Sequence, residues 1–476
     1  MLYIALGRIS QIVLMVITMK VATTLLLPAE MARVFLISSA VALYALVLLN
    51  PVGMFMNRRL HAWDAAGKIG HYYNYFWIYL LVVGVIAVAL TALIASLNLL
   101  TFHTGLVWLL ILIFSSIIIS TANQVVIPGL NLLGHRTLFV YLTFATSAMS
   151  LVMAILMVML IKPRAEYWLI GLLLGQLLIA FVGGNAFYKT IRPAVMNGHL
   201  KTAMTNNHIM TMWKFVWPIL ISACLVWGQT QSYRFIMADF LGLTDVGLFV
   251  AGYGISAGII AGFESIFTTY LQPIFYKRIS GDDKIEQGEA WTKYASGILP
   301  SLLLVGFFVV ATAPELTRLL LGSGYKDSSK FLLWGVIAEL SRAATYVYGM
   351  VAHARMKTKL LIMPNAIGAF IAITMILCAA PKYGAVGVGF SLAFAGLVVF
   401  IATYVSTRSQ LITTLPYKTL LRCVIVGFVL LVVAHIARGV IGLDGITHDV
   451  MFLILLGGIY LPTQYWLLRP YFKSKK

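Results

Sequence analysis

Acidic residues are scarce in this sequence: 15 Asp and Glu stand against 34 Lys and Arg in 476 residues, and charged residues of both signs make up only 10%. A soluble globule of this length carries about 25% charge. With 61% hydrophobic residues and a mean hydropathy of +0.95, that class is excluded. Cysteine is nearly absent. Cys224, Cys378 and Cys423 all fall inside apolar runs, where they act as small packing residues and offer neither a disulfide framework nor a metal site. No G-x-x-x-x-G-K-[ST] phosphate loop occurs, so ATP hydrolysis by this chain is not expected. The nine histidines are scattered without metal-ligand spacing. No large loop pairs acidic with basic residues as a glycosyltransferase or polymerase would need. The expectation is a chain that is not an enzyme and takes no cofactor or metal.

What remains is long apolar runs. A segment of about 20 residues crosses ~30 Å of hydrocarbon. Such segments recur at 2–27, 32–55, 73–97, 105–133, 138–161, 167–187, 214–239, 246–276, 296–321, 331–352, 360–380, 384–406, 419–438 and 449–468. The first is too long for a signal-peptide core and carries Arg8 and Lys20, so it reads as a retained helix. The fold class is an all-α polytopic membrane protein of about 14 transmembrane helices.

Short loops joining the runs set the orientation. With the N-terminus inside, the inner loops hold basic clusters such as Arg58, Arg59 and Lys68, or Arg355, Lys357 and Lys359, and the tail adds Arg469, Lys473, Lys475 and Lys476. The outer loops hold only Lys162, Arg164, Lys326, Lys330, Lys382 and Arg438. Both termini are therefore expected in the cytoplasm. The net charge of +19 follows mostly from this asymmetry, and nucleic acid is not an expected partner.

The chain also repeats itself. Shifting by 214 positions carries Lys20 onto Arg234 and Phe35 onto Phe249, and sets KVATTLLLPAEMARVFLISSAV beside RFIMADFLGLTDVGLFVAGYGI. His135 and Arg136 follow the fourth run as His353 and Arg355 follow the tenth. The expected organisation is a six-helix half at 1–200, a second at 201–410, and two extra helices with a basic tail at 411–476. An even number of crossings per half makes the repeats parallel, related by an axis along the membrane normal.

Ionisable residues inside the runs are the candidate site. A charge at the centre of a span costs at least about 2.5 kcal/mol, so one that is kept faces the bundle interior or water. Lys20 and Arg234 share a repeat position, although the stem of Lys20 is also long enough to snorkel outward. Glu339 and Arg342, three apart, share one face of the tenth helix and are placed to pair. Glu264 lies deep in the eighth helix without a local partner, so it is neutral, paired across helices, or in water. Lys20, Arg234 and Arg342 are the candidate substrate-binding cations, and Glu264 and Glu339 the candidates for ion coupling. Glu315 and Arg318 read as a snorkelling pair, Arg8 as reaching the inner headgroups, and Asp239 as lying at the outer interface. Gly384, Gly387, Gly389 and Gly396, with Gly247, Gly252, Gly254 and Gly258, allow close helix approach.

A helix with a basic residue, a short turn and a second helix, from Lys20 to Phe35 and again from Arg234 to Tyr253, resembles the Wzx-type flippases. These form the polysaccharide branch of the multidrug/oligosaccharidyl-lipid/polysaccharide (MOP) exporter superfamily. GYKDSSKFLLWGVIAEL from Gly324 is similar to that family's tenth-helix entry. TKLLIMPNAIGAFIAITMIL and PKYGAVGVGFSLAFAGL resemble its eleventh and twelfth helices. Tyr233 and Ala32 depart from it, standing where members often have an acidic residue and glycine. The resemblance implies a bundle like those of MATE transporters and MurJ. It implies alternating access carrying undecaprenyl-diphosphate-linked oligosaccharide across a bacterial cytoplasmic membrane for O-antigen, capsule or exopolysaccharide. Implied partners are the lipid-linked oligosaccharide, membrane lipids, a polysaccharide polymerase and a chain-length regulator. A lipid II flippase and a MATE-type multidrug antiporter are the alternatives.

Overall fold

In hydrocarbon a backbone must satisfy its own hydrogen bonds, and these apolar runs do so as helices. The computed structural model describes residues 2–65, 69–97, 101–197, 206–279, 284–354, 357–411, 414–441 and 445–472. The side chain of Arg8, all of Lys68, Lys201 and Arg355, and the tail cations Lys473, Lys475 and Lys476 lie outside the described residues.

The order is α1 (Leu2–Leu25), α2 (Pro28–Tyr44), α3 (Asn50–Ala65), α4 (Ile69–Ser96), α5 (Leu106–Leu132), α6 (Arg136–Leu160), α7 (Ala165–Asn197) and α8 (Asn206–Thr230). There follow α9 (Tyr233–Leu241), α10 (Leu243–Ile279), α11 (Lys284–Ala311), α12 (Ala313–Leu320), α13 (Leu332–Ala354), α14 (Ile362–Thr407), α15 (Tyr417–Ile441) and α16 (Ile446–Phe472). No strand occurs among the described residues.

Among the described residues, 11 segments are long and apolar enough to cross a membrane. One of them, Lys359–Thr407, has 49 residues, enough for two crossings, and breaks at Gly384, whose φ of 59° lies where side-chain-bearing residues are strained. The PKYG stretch is that break. The expected count of about 14 crossings also includes α1, of which Val13–Leu25 is a shorter apolar helix, and α13, which carries Glu339 and Arg342 and is not among those 11.

Several spans are interrupted, and in each case a polar group meets the freed backbone. Between α2 and α3 a π-helical turn runs over Ala45–Leu49, and the Tyr79 hydroxyl donates to the Leu48 carbonyl at 2.7 Å. Between α8 and α9 the Ser232 hydroxyl bonds the Gly228 carbonyl. Between α11 and α12 the Ala311 carbonyl accepts from Arg438 at 2.8 Å.

Contacts divide the chain into two compact units, Met1–Trp227 and Gly228–Lys476. Within the first, α7 packs on α6 and α5. Gly171 and Gly175 form a small-xxx-small face, and a Cβ on either would overlap the backbone at Ala154 or Ser150. Gly175→Leu is therefore expected to force α6 and α7 apart, at a cost of about 1–3 kcal/mol or more. Size-exclusion recovery after graded heating, compared with Gly184→Leu where the space is open, checks it. Glu30 ties α2 to α7: one carboxylate oxygen binds Arg33 at 2.7 Å and the other accepts from the Ala165 N–H, at the start of α7, at 2.9 Å.

Leu243 and Lys284, which start α10 and α11, each lie 215 positions after Pro28 and Ile69, which start α2 and α4. In the second unit α13 packs on α14 and α10, and α11 on α10 and α15. Gly389 lies against Trp334, and Gly252 against the Ser328 carbonyl in the 3-10 turn Ser323–Phe331.

Candidate functional site

Arg234 was expected inside a continuous helix. It stands instead in the first turn of α9, just past the break that ends α8 at Thr230. Helix interruptions of this kind are where transporters of several folds build their cargo sites. The arginine is half-buried, its Nε donates to the Tyr233 hydroxyl at 3.3 Å, and its guanidinium carbon lies 5.5 Å from the centre of the Tyr233 ring. Tyr233 is itself buried, with its ring centre 5.6 Å from Phe249 and 6.3 Å from Tyr253. The residue that replaces the family's acidic group thus supplies both a ring and an acceptor for the arginine.

Tyr253 leads to the second cluster. Its hydroxyl donates to Glu339 Oε1 at 3.0 Å. Glu339 Oε2 accepts from Arg342 Nε at 2.6 Å, and Arg342 Nη2 donates to Glu264 Oε2 at 2.5 Å. Further along, Gln272 Nε2 donates to the Tyr346 hydroxyl at 3.2 Å, and at the other end the Ser256 hydroxyl donates to the Leu332 carbonyl at 2.8 Å. Positions 253, 264 and 272 on α10 recur at close to whole helical turns, as do 339, 342 and 346 on α13. The α10–α13 seam is thus a ladder of polar pairs between two largely apolar helices. Glu264, without a partner on its own helix, finds one across this seam.

Lys20 lies in the other unit, on the last turns of α1. It is partly buried, and its carbonyl accepts from the Thr24 hydroxyl at 2.7 Å. Asp239 is exposed on α9.

Glu315 and Arg318 are not a snorkelling pair. Glu315 is completely buried and is held by Arg438, whose Nε and Nη2 each donate to it at 2.9 Å, while Arg318 Nη2 stands 3.6 Å away. Arg318 turns to Asp449 of α16, with Nε at 2.8 Å and Nη2 at 2.5 Å. Burial of the acids explains the difference: a fully desolvated carboxylate is kept only when paired and hydrogen-bonded. The network joins α12 to α15 and α16 and takes no part in the seam.

Long apolar helices around a polar seam define an all-helical polytopic membrane protein. A family model described as "Polysaccharide biosynthesis protein" matches residues 64–330, more than half of the chain. The chain belongs to that family. Among solved structures, "Lipid II flippase MurJ, inward closed conformation" is similar over 98% of this chain and 99% of its own, with a TM-score of 0.70 and 16% identity. The inward-facing conformation of a multidrug resistance MATE family transporter of the MOP superfamily is similar over 85% of this chain and 98% of its own, with a TM-score of 0.60 and 14% identity. A single-site mutant of a Vibrio cholerae MATE transporter gives a TM-score of 0.52 at 13% identity, over 85% of this chain and 93% of that one. At these identities the likeness is one of fold. No curated protein matches the chain.

Proposed function

We propose that the chain is a flippase that translocates undecaprenyl-diphosphate-linked oligosaccharide repeat units across a bacterial cytoplasmic membrane, supplying surface polysaccharide synthesis. The observation that carries this reading is the polysaccharide-family match across residues 64–330 on a MOP transporter fold. The cargo's diphosphate and glycan cannot cross hydrocarbon unaided, whereas its polyprenyl tail stays in lipid. Two six-helix halves, 1–200 and 201–410, rock against each other in alternating access, with Lys20 and Arg234 attracting the diphosphate. Glu264 and Glu339 are the acidic groups available for a coupling cation, which they accept only when Arg342 releases them. A polymerase and a chain-length regulator act on the delivered units. A lipid II cargo is the second reading, and the similarity to MurJ over nearly the whole chain, the two C-terminal helices included, favours it.

Carrying two negative charges outward down an inside-negative potential releases about 4.6 kcal/mol at 100 mV, which makes ATP unnecessary. Purified protein in liposomes should therefore move a lipid-linked repeat unit faster when a potential or an ion gradient is imposed. Transport that needs ATP and ignores both gradients overturns the reading. Lipid II moved in preference to the repeat unit replaces it with the second.

This reading puts both termini in the cytoplasm, on the charge asymmetry of the loops. A reporter fused after Lys476 is expected to be active as a cytoplasmic one, and a reporter inserted at Asp327 as an external one. An external C-terminus would mean an odd number of crossings.

A further inference from the structure

We propose that the α10–α13 seam is a glycan subsite, which binds hydroxyl groups of the cargo's sugars and leaves the diphosphate to other cations. This deepens the flippase reading above and rests on it. Charge balance is the first argument. Glu264, Glu339 and Arg342 together carry one net negative charge when ionised, so the seam repels a diphosphate despite its arginine. The second is exposure. The two carboxylate side chains are about one-tenth exposed, 11% and 10%, whereas that of Arg342 is 41% exposed. A half-exposed arginine in the middle of an apolar span faces water or cargo, because lipid would not tolerate it. Its Nε and Nη2 hold the carboxylates, and Nη1 makes no hydrogen bond among the described residues.

The third argument is chemical. Sugar diols donate to carboxylate lone pairs and accept from guanidinium N–H groups, and planar side chains held rigidly at both ends select their orientation. Glu339 is held in this way, by Tyr253 at one oxygen and Arg342 at the other. Gln272 and Tyr346 extend the polar strip along the same two helices. The hydroxyl of Tyr294 on α11 is buried with no hydrogen-bond partner among the described residues, on a residue only 2% exposed.

Two probes separate the possibilities on the full-length protein in detergent. One is the phosphate-free oligosaccharide hydrolysed from the source strain's lipid-linked repeat unit, and the other is inorganic pyrophosphate, each titrated by calorimetry. Arg342→Gln and Glu264→Gln are expected to weaken oligosaccharide binding about tenfold while pyrophosphate affinity stays within about twofold. Arg234→Gln should do the reverse. Should Glu264→Gln fail to fold, Tyr346→Phe, which removes a single hydroxyl, still predicts weaker oligosaccharide binding. Loss of pyrophosphate binding in Arg342→Gln with oligosaccharide binding intact overturns the subsite, as does a wild-type protein that transports the repeat unit yet does not bind the free oligosaccharide. Oligosaccharide binding that responds as expected, in a protein that fails to transport in liposomes, supports the subsite and overturns only the flippase reading.

Discussion

Arg234→Ala is expected to weaken cargo capture severely while the protein still inserts and accumulates in the membrane. Removing a charge from a span does not oppose insertion. A unit charge pair 4 Å apart is worth about 4 kcal/mol at an effective dielectric near 20, and water in a cargo path screens part of it. Since about 1.4 kcal/mol is tenfold, the loss falls between about tenfold and a thousandfold in transport at limiting substrate. Arg234→Lys should keep part of the activity, because charge survives while the bidentate fork is lost, and Arg234→Glu should be worst. Tyr233 adds a complication. Its buried hydroxyl accepts from Arg234 Nε, so Arg234→Ala removes that donor at a cost of about 1–3 kcal/mol if nothing replaces it. The double variant Arg234→Ala with Tyr233→Phe removes the orphaned hydroxyl and isolates the cargo effect. Lys20→Ala is expected to resemble Arg234→Ala in direction. Surface polysaccharide restored in a strain lacking the gene, with membrane levels measured for each variant, is the readout. Near-normal polymer from both Arg234→Ala and Lys20→Ala would remove these two residues from the mechanism.

How far the sequence carried this reading depends on the range of each interaction. Hydropathy located the spans because crossing hydrocarbon is a local requirement of length and composition. PKYG announced the break at Gly384 because the backbone there needs a residue tolerant of positive φ. Glu339 and Arg342 were legible as a pair because three positions on a helix share a face. Arg342 and Glu264 are 78 positions apart, and no periodicity links them. The interruptions at Thr230 and Ala311 were hidden for the same kind of reason. Ser232 and Arg438 meet the freed carbonyls, and hydropathy, which scores side chains alone, runs through such breaks unchanged. In the sequence Arg438 reads as an outer-loop cation and Asp449 as the start of the last span, and neither role hints at the buried ion network. Tyr233 could have been singled out on one signal, its place beside an intramembrane arginine.

That buried network carries the largest stability effect expected in the chain. Two acids and two arginines balance in charge across Arg438, Glu315, Arg318 and Asp449. Arg438→Ala leaves the fully buried Glu315, among the described residues, with the 3.6 Å contact to Arg318 as its ion pair, and it removes the donor to the Ala311 carbonyl. Breaking one side of a buried pair costs about 3–5 kcal/mol, because the surviving charge remains desolvated. Glu315→Ala is expected toward the lower end, since the two arginines are each about one-third exposed, 37% and 33%, and recover some hydration. A paired replacement, Arg438→Leu with Glu315→Met, should recover most of the loss and give a coupling of about 1–3 kcal/mol in a double-mutant cycle. Thermal unfolding in detergent, read by size exclusion and intrinsic fluorescence, measures each value. The competing account is that aromatic contacts hold α15 and α16, with Phe307 on Phe428 at 5.5 Å and Phe308 on Tyr460 at 5.1 Å, and that the ions are incidental. In lipid those contacts have a weak advantage, because acyl chains solvate an aromatic face nearly as well as another helix does. Polar groups have no such substitute there. Arg438→Ala should therefore melt well below Phe428→Ala, and the reverse order would assign the docking of the last two helices to packing.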